Sequence, residues 1–251
     1  MRKRIVKIGN LKIGKGDFIV IAGPCSIESE KQLFLTAKAI KNNIHILRGG
    51  AFKPRTSPDS FQGLGLEGLK ILKRVSQKLN LLTITEVLDT RDVDLVSEYA
   101  DILQIGARNM QNFPLLKEVG KSKKPVLLKR GFGNTIKEWL MAAKYIEKEG
   151  NNKIILCERG IRTYENTLRF TLDFAGALWV QKNTPYPVII DPSHATGERS
   201  LIEPLTLASK AAGFSGIMIE VHYRPEEALS DKDQALRPRE FNQIIRELKK
   251  I

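Results

Sequence analysis

The stretch Val188-Ile189-Ile190-Asp191-Pro192-Ser193-His194 sets a short β-branched run directly before an acid and a histidine. The same juxtaposition recurs along the chain. Eight such runs are Phe18–Ala22, Ile44–Leu47, Leu81–Thr85, Ile102–Ile105, Val126–Leu128, Ile154–Leu156, Val188–Ile190 and Ile217–Ile219. In order, they are followed by Pro24-Cys25-Ser26, Arg48, Glu86, Ala107-Arg108, Lys129-Arg130, Glu158-Arg159, Asp191–His194 and Glu220. Strands buried on both faces read as continuous apolar runs. In a (β/α)8 barrel their C-terminal ends face the active site. A core has no need of Arg, Lys, His, Cys or Glu at those places, whereas a catalytic site does.

Amphipathic segments lie between the runs, with apolar stripes at Leu33, Ala37 and Ile40, at Leu69, Leu72 and Leu79, and at Ile136, Leu140 and Ala143. Ser29 before Glu30 and Thr135 before Ile136 read as helix starts, and a final helix is expected from about Arg239 to Lys249. This alternation predicts parallel βαβ units and an α/β fold, a single (β/α)8 TIM barrel. Arg4–Gly14 carries two short apolar runs around Gly9-Asn10, a turn-forming pair, so residues 1–16 read as a β-hairpin extension closing the barrel bottom. The length of 251 residues suits one barrel, and residues 1–251 are expected to be one catalytic domain without a regulatory domain. The connections Gly49–Gly65, Pro192–Ser200 and Val221–Pro238 are long, while the returns Lys41-Asn42-Asn43 and Gly150–Lys153 are short. A catalytic top and a structural bottom would produce that asymmetry.

Composition narrows the classes. A hydrophobic fraction of 42% supports a sizeable core. No run approaches the roughly 18 apolar residues of a membrane span, and no h-region follows the basic N-terminus, so the expectation is a cytoplasmic protein that binds no membrane. Two cysteines in so long a chain do not make a disulfide framework. The net charge of +13 invites nucleic acid as a partner. The charge is dispersed, however, with Lys70, Lys73, Lys78, Lys137, Lys144 and Lys148 on outward helix faces mixed with Glu, so the expectation is no nucleic acid and an anion-binding pocket.

Cys25, His194 and Glu220 end the first, seventh and eighth runs, which are neighbours around a closed barrel, and Asp231 in the last long loop can reach the same place. Singly, a cysteine after a strand is most often a small buried hydrophobe. Together, a thiolate, an imidazole and two carboxylates suit one divalent transition metal ion, with Mn²⁺, Fe²⁺, Co²⁺ and Zn²⁺ all open. His45 and His222 have no such company and read as structural or as supports behind the ligand residues, and Cys157 reads as core. Arg48, Lys53, Arg55, Arg108, Lys129 and Arg159 place six cations at one barrel mouth, where mutual repulsion calls for anions. Glu86, Glu158 and Asp191 could pair with some of them but not all, which leaves substrates rich in negative charge, phosphates foremost. Gly106 and Gly131 would let backbone approach a ligand. The chain contains no phosphate-binding G-x-x-x-x-G-K-[ST] loop, no dinucleotide fingerprint opening a helix and no nucleophile elbow.

The motifs Ala22-Gly23-Pro24-Cys25-Ser26, Lys53-Pro54-Arg55-Thr56-Ser57, Thr85-Glu86-Val87-Leu88-Asp89, Ile105-Gly106-Ala107-Arg108, Leu128-Lys129-Arg130-Gly131 and Asp191-Pro192-Ser193-His194 resemble those of the 3-deoxy-D-arabino-heptulosonate 7-phosphate (DAHP) synthases, in their short microbial form. The resemblance runs from about Asp17 to Pro238 and implies condensation of phosphoenolpyruvate with erythrose 4-phosphate at the head of aromatic amino-acid biosynthesis. It implies Cys25, His194, Glu220 and Asp231 as metal ligands, with Asp231 matching better than Asp233. It implies Arg48, Lys53, Arg108, Lys129 and Arg159, with the backbone of Ala107, around phosphoenolpyruvate. Arg55 and Thr56 would hold erythrose 4-phosphate, and Glu86 matches an acid near the attacking water. Lys53, Glu86, Lys129 and His194 are thereby the expected catalytic set, in a homodimer or homotetramer. The rival is the sister 3-deoxy-D-manno-octulosonate 8-phosphate synthase, which uses arabinose 5-phosphate and resembles an Asn-Arg-Ser version of the Lys53–Ser57 loop. A catalytically dead barrel acting as a binding subunit is the rival from another class.

Overall fold

The computed structural model describes residues 3–251. A hairpin of β1 (Val6–Ile8) and β2 (Leu11–Ile13) comes first. Eight strands follow: β3 (Ile19–Gly23), β4 (Ile46–Arg48), β5 (Leu82–Glu86), β6 (Ile102–Ile105), β7 (Val126–Lys129), β8 (Ile154–Glu158), β9 (Val188–Ile190) and β10 (Gly216–Glu220). Each pairs in parallel with its successor, and β10 returns to pair with β3, with Glu220 opposite Gly23. The intervening helices are α1 (Glu30–Ile40), α2 (Gly65–Leu79), α3 (Val93–Tyr99), α4 (Phe113–Lys121), α5 (Ile136–Lys148), α6 (Phe174–Asn183), α7 (Pro192–Thr196) and α8 (Ile202–Ala211), with α9 (Pro238–Leu248) last. The predicted (β/α)8 barrel is therefore the observed one. Ser29 and Thr135 do cap α1 and α5, Thr135 within a capping box completed by Glu138.

Side chains alternate across each strand, and both faces are covered, which is why the runs lack polar interruptions. Val20, Leu47, Leu103, Leu128, Leu156, Ile190 and Ile219 point outward into the layer beneath the helices. Ile21, Ile46, Ile84, Ile102, Leu127, Cys157, Ile189 and Met218 point inward. Val6, Ile8 and Ile13 of the hairpin belong to this same inner cluster, so the hairpin seals the barrel from below as expected; residues 1 and 2 of the predicted extension lie outside the described residues.

Three expectations change. The α5 stripe buries Trp139, Ala142, Ala143 and Ile146, one face over from Ile136 and Leu140, which are only half-buried; Trp139 fixes that rotation by donating its indole N–H to Leu128 O at 3.2 Å. The predicted loop Pro192–Ser200 contains α7, nucleated by Asp191, whose carboxylate accepts the His194 backbone N–H at 3.0 Å. A fourth long connection, from 159 to 173, joins β8 to α6. No helix among the described residues is long and apolar enough to cross a membrane.

Candidate active site

The inward register of the strands generates the site. Two residues beyond seven of the eight inward apolar side chains, the alternation places another inward one, now above the apolar layer: Ile46 leads to Arg48, Ile84 to Glu86, Ile102 to Gln104, Leu127 to Lys129, Cys157 to Arg159, Ile189 to Asp191 and Met218 to Glu220, while Ile21 leads to Gly23. All seven polar side chains are buried. They line or underlie a cleft of 480 Å³, which also receives Lys53, Arg55, Thr56, Ala107, Arg108 and His194. Every residue of the expected phosphate-binding set thus reaches one cleft. Gln104, Arg162 and Arg169 share it and were not foreseen. Gln104 was legible from the period-two register alone. Arg162 and Arg169 lie on the long β8–α6 connection that the sequence reading did not single out.

On one side of the cleft, Cys25, His194, Glu220 and Asp231 present ligand atoms that all lie within 4.8 Å of one another. Cys25 Sγ donates to Asp231 Oδ2 at 2.8 Å, and His194 Nε2 lies 3.0 Å from Glu220 Oε1. Asp231 sits at φ 52°, an uncommon left-handed backbone for an aspartate, and Arg169 holds its other oxygen at 3.0 Å. His194 turns Nδ1 to Asp191 at 2.7 Å, which leaves Nε2 for the cluster. Burial alone would push the His194 imidazole down, but the carboxylates of Asp191 and Glu220 outweigh it and hold the pKa up at about 9. Burial would push Glu220 up, yet His194 and Arg48 keep it well below the ordinary carboxylate range. One thiol, one imidazole and two carboxylates at this spacing fit a single divalent transition ion.

The cations around this cluster differ in their partners. Arg48 pairs with Glu220 at 2.7 Å and Lys129 with Asp191 at 2.6 Å. Lys53 donates to Cys25 Sγ at 2.8 Å; burial would lower its pKa, and its neighbours Cys25 and Glu86 raise it instead. Glu158, weighed as a partner for the six cations, is taken by Arg130 at 3.0 Å. Arg55, Arg108 and Arg159 form no ion pair with a carboxylate among the described residues. Arg159 spends one nitrogen on His194 O at 3.0 Å and leaves Nη1 buried with no partner. An uncompensated guanidinium in a cleft is a site waiting for an anion.

The remaining expectations resolve individually. His45 accepts the Val20 N–H at 3.0 Å near the barrel bottom, and His222 accepts the Arg224 N–H at 3.0 Å; neither joins the ligand cluster. Cys157 is enclosed in the barrel interior, where burial pushes its thiol up. Gly106 and Gly131 also make room for side chains: a Cβ would come within 1.9 Å of Glu86 Oε1 at the first, which lines the cleft, and of Asn134 Oδ1 at the second.

The sequence profile of the DAHP synthetase I family matches residues 3–251. The chain belongs to that family. A phospho-2-dehydro-3-deoxyheptonate aldolase of Thermotoga maritima is 50% identical over 98% of this chain and 73% of its own length. A 2-dehydro-3-deoxyphosphooctonate aldolase of Desulfatibacillum aliphaticivorans is 34% identical over 95% of this chain and 94% of its own. The crystal structure of the Thermotoga maritima DAHP synthase superposes with a TM-score of 0.96 at 50% identity, covering 99% of this chain and 73% of that one. A truncated form of the Thermotoga maritima enzyme gives 0.92 at 46% identity, covering 99% and 92%. Across the DAHP synthetase I family likeness, the barrel mouth just described is the part with chemistry to offer.

Proposed function

We propose that this protein is a metal-dependent transferase that condenses phosphoenolpyruvate, erythrose 4-phosphate and water to 3-deoxy-D-arabino-heptulosonate 7-phosphate and phosphate, opening the shikimate route to chorismate and the aromatic amino acids. The observation that carries the reading is the adjacency of two built sites in one cleft: unpaired guanidinium groups on one side and a thiol, imidazole and carboxylate cluster on the other. The higher identity to a heptonate aldolase than to an octonate aldolase supports erythrose 4-phosphate as the second substrate. So does the Lys53-Pro54-Arg55-Thr56-Ser57 rim.

In this reading Arg108, Lys129 and Arg159 hold the phosphate and carboxylate of phosphoenolpyruvate, with Arg48, Lys53 and the Ala107 backbone beside them. Arg55 and Thr56, nearer the rim, take the phosphate of erythrose 4-phosphate. Cys25, His194, Glu220 and Asp231 hold one divalent ion, among Mn²⁺, Fe²⁺, Co²⁺ and Zn²⁺. When bound, that ion supplies Lewis-acid polarisation of the aldehyde oxygen. Fixing both anions brings the enol carbon of phosphoenolpyruvate against the aldehyde carbon, where the new C–C bond forms and positive charge develops at C2. Glu86 and Lys129 orient a water onto C2 and move its proton; the hemiketal phosphate then loses inorganic phosphate by C–O cleavage. His194 is kept in its working tautomer by Asp191.

The proposal extends to residues 1–251 acting as one catalytic unit, a cytoplasmic location, and a homodimer or homotetramer. Exposed Met141 and Trp179, which share one apolar groove with Ile136 and Leu140, support self-association. Phosphate release from phosphoenolpyruvate, followed with erythrose 4-phosphate and separately with arabinose 5-phosphate after metal-by-metal reconstitution, tests the reading. Preference for the five-carbon aldose would transfer the assignment to the octulosonate reaction, and inertness with both would leave a binding barrel.

A further inference from the structure

Two phenylalanines, absent from every motif above, stand in the middle of the cationic half of the cleft. Phe132, just beyond β7, and Phe170, on the β8–α6 connection, stack with centroids 5.0 Å apart and planes within 8°. The Arg159 guanidinium carbon lies 4.2 Å from the Phe170 centroid and 4.9 Å from that of Phe132. Arg108 lies 5.3 Å from the Phe132 centroid. The stack is itself built in. Gly160 at φ 93° makes room for it, since a Cβ there would meet Phe170 Cβ at 2.7 Å. The Phe170 N–H is tied to Ala195 O at 2.8 Å, beside His194, and the Arg162 N–H to Phe132 O at 2.6 Å.

A carboxylate in this place would fix Arg159 and also neutralise it, so an incoming phosphate would have to displace it. An aromatic face attracts a guanidinium through the ring quadrupole while cancelling none of its charge. The consequence is visible at Arg159, which is buried, aromatic-backed, free of any carboxylate partner and left with one nitrogen unsatisfied. We propose that Phe132 and Phe170 are positioning residues for phosphate capture: the stacked pair holds Arg159, with Arg108 beside it, in place and uncompensated until the phosphoenolpyruvate phosphate arrives. This rests on the reading above, in which Arg108, Lys129 and Arg159 hold the phosphate and carboxylate of phosphoenolpyruvate, and it assigns the phosphate to the aromatic-backed pair Arg108 and Arg159.

Phe132→Leu and Phe170→Leu, each alongside its Tyr counterpart, test the inference in the metal-loaded protein. The Leu variants should raise KM for phosphoenolpyruvate about tenfold, with kcat and KM for erythrose 4-phosphate within about twofold of the parent. Inorganic phosphate, titrated calorimetrically without turnover, should weaken in parallel, while metal content stays unchanged. Tyr keeps the ring face and should restore the parental KM; this arm separates an aromatic contribution from mere space-filling. Parental phosphoenolpyruvate KM in both Leu variants, equal shifts for the two substrates, or failure of folded Tyr variants to rescue would each overturn the inference. Should one Leu variant not fold, the other, on a different connection, decides it. A parent protein that does not turn over phosphoenolpyruvate overturns the functional reading instead.

Discussion

Gly106 lies at φ −70°, an ordinary backbone, so its missing side chain answers to space: a Cβ would intrude to 1.9 Å from Glu86 Oε1. Gly106→Ala should therefore push the Glu86 carboxylate aside from its bond with Gln104 Nε2, at 3.3 Å, and lower kcat about 100-fold, the usual scale for a misplacement near 1 Å. Circular dichroism should show the fold intact; a variant within threefold of parental kcat would remove Glu86 from the mechanism. Cys25→Ala tests the opposite corner. The thiol is one of four converging donors and contributes little packing, so metal affinity should fall at least about 100-fold with the melting profile of the metal-free protein preserved. Undiminished metal content after dialysis against chelator would overturn the ligand set. At this scale the sequence was readable wherever a charged residue interrupts an apolar run, as at Arg48, Lys129 and Glu220. It was opaque where a residue's partner is remote in the chain. Nothing near Gly106 in sequence announces Glu86, and nothing near Arg130 announces Glu158 or Asp173, which it grips at 3.0 and 2.6 Å.

Among the elements, the hairpin of β1 and β2 was foreseen from Gly9-Asn10 and its flanking apolar pairs, as was its place at the barrel bottom, but the polar clamp that ties it there was not. Glu147 on α5 accepts from Arg4, from Tyr186 at 2.6 Å and from Lys144 at 3.1 Å, binding the segment before β1 to the barrel wall. Burial pushes Glu147 up, and these three donors outweigh it, so its pKa falls below the ordinary 4.5. A depressed carboxylate contributes stability that is complete above its ordinary value and is lost as pH falls through the folded one. Glu147→Gln should cost about 1–3 kcal/mol at pH 7. The gap in Tm to the parent should narrow on acidification below about 4.5; a gap independent of pH would show that the charge is not what Glu147 contributes. The β8–α6 connection escaped the sequence reading for a related reason. Its apolar residues Leu168, Phe170 and Leu172 carry no helix period, and what organises it, the Ile161–Thr171 bridge and the Phe132 stack, consists of contacts that the local sequence does not encode.

For the molecule as a whole, eight strand runs with reactive ends were enough to specify the barrel, because closure forces neighbouring C-termini to one mouth. The net charge of +13 was equally plain, but its division was not: most of it is solvated helix surface, and the part that matters is the small set without carboxylates around Arg159. Below that set, the hairpin and the inward apolar layer form a dry floor. Such a floor is an electrical insulator as well as a plug. The field of the buried cations cannot spread downward into water and emerges instead through the barrel mouth, reaching out to passing anions. The barrel should accordingly collect phosphorylated substrates faster than random collision allows. Stopped-flow association of phosphoenolpyruvate should slow by about tenfold as ionic strength rises from roughly 0.05 to 0.5 M, as the Debye length contracts. A rate indifferent to salt would mean that the floor shapes no field and that the anions arrive unaided.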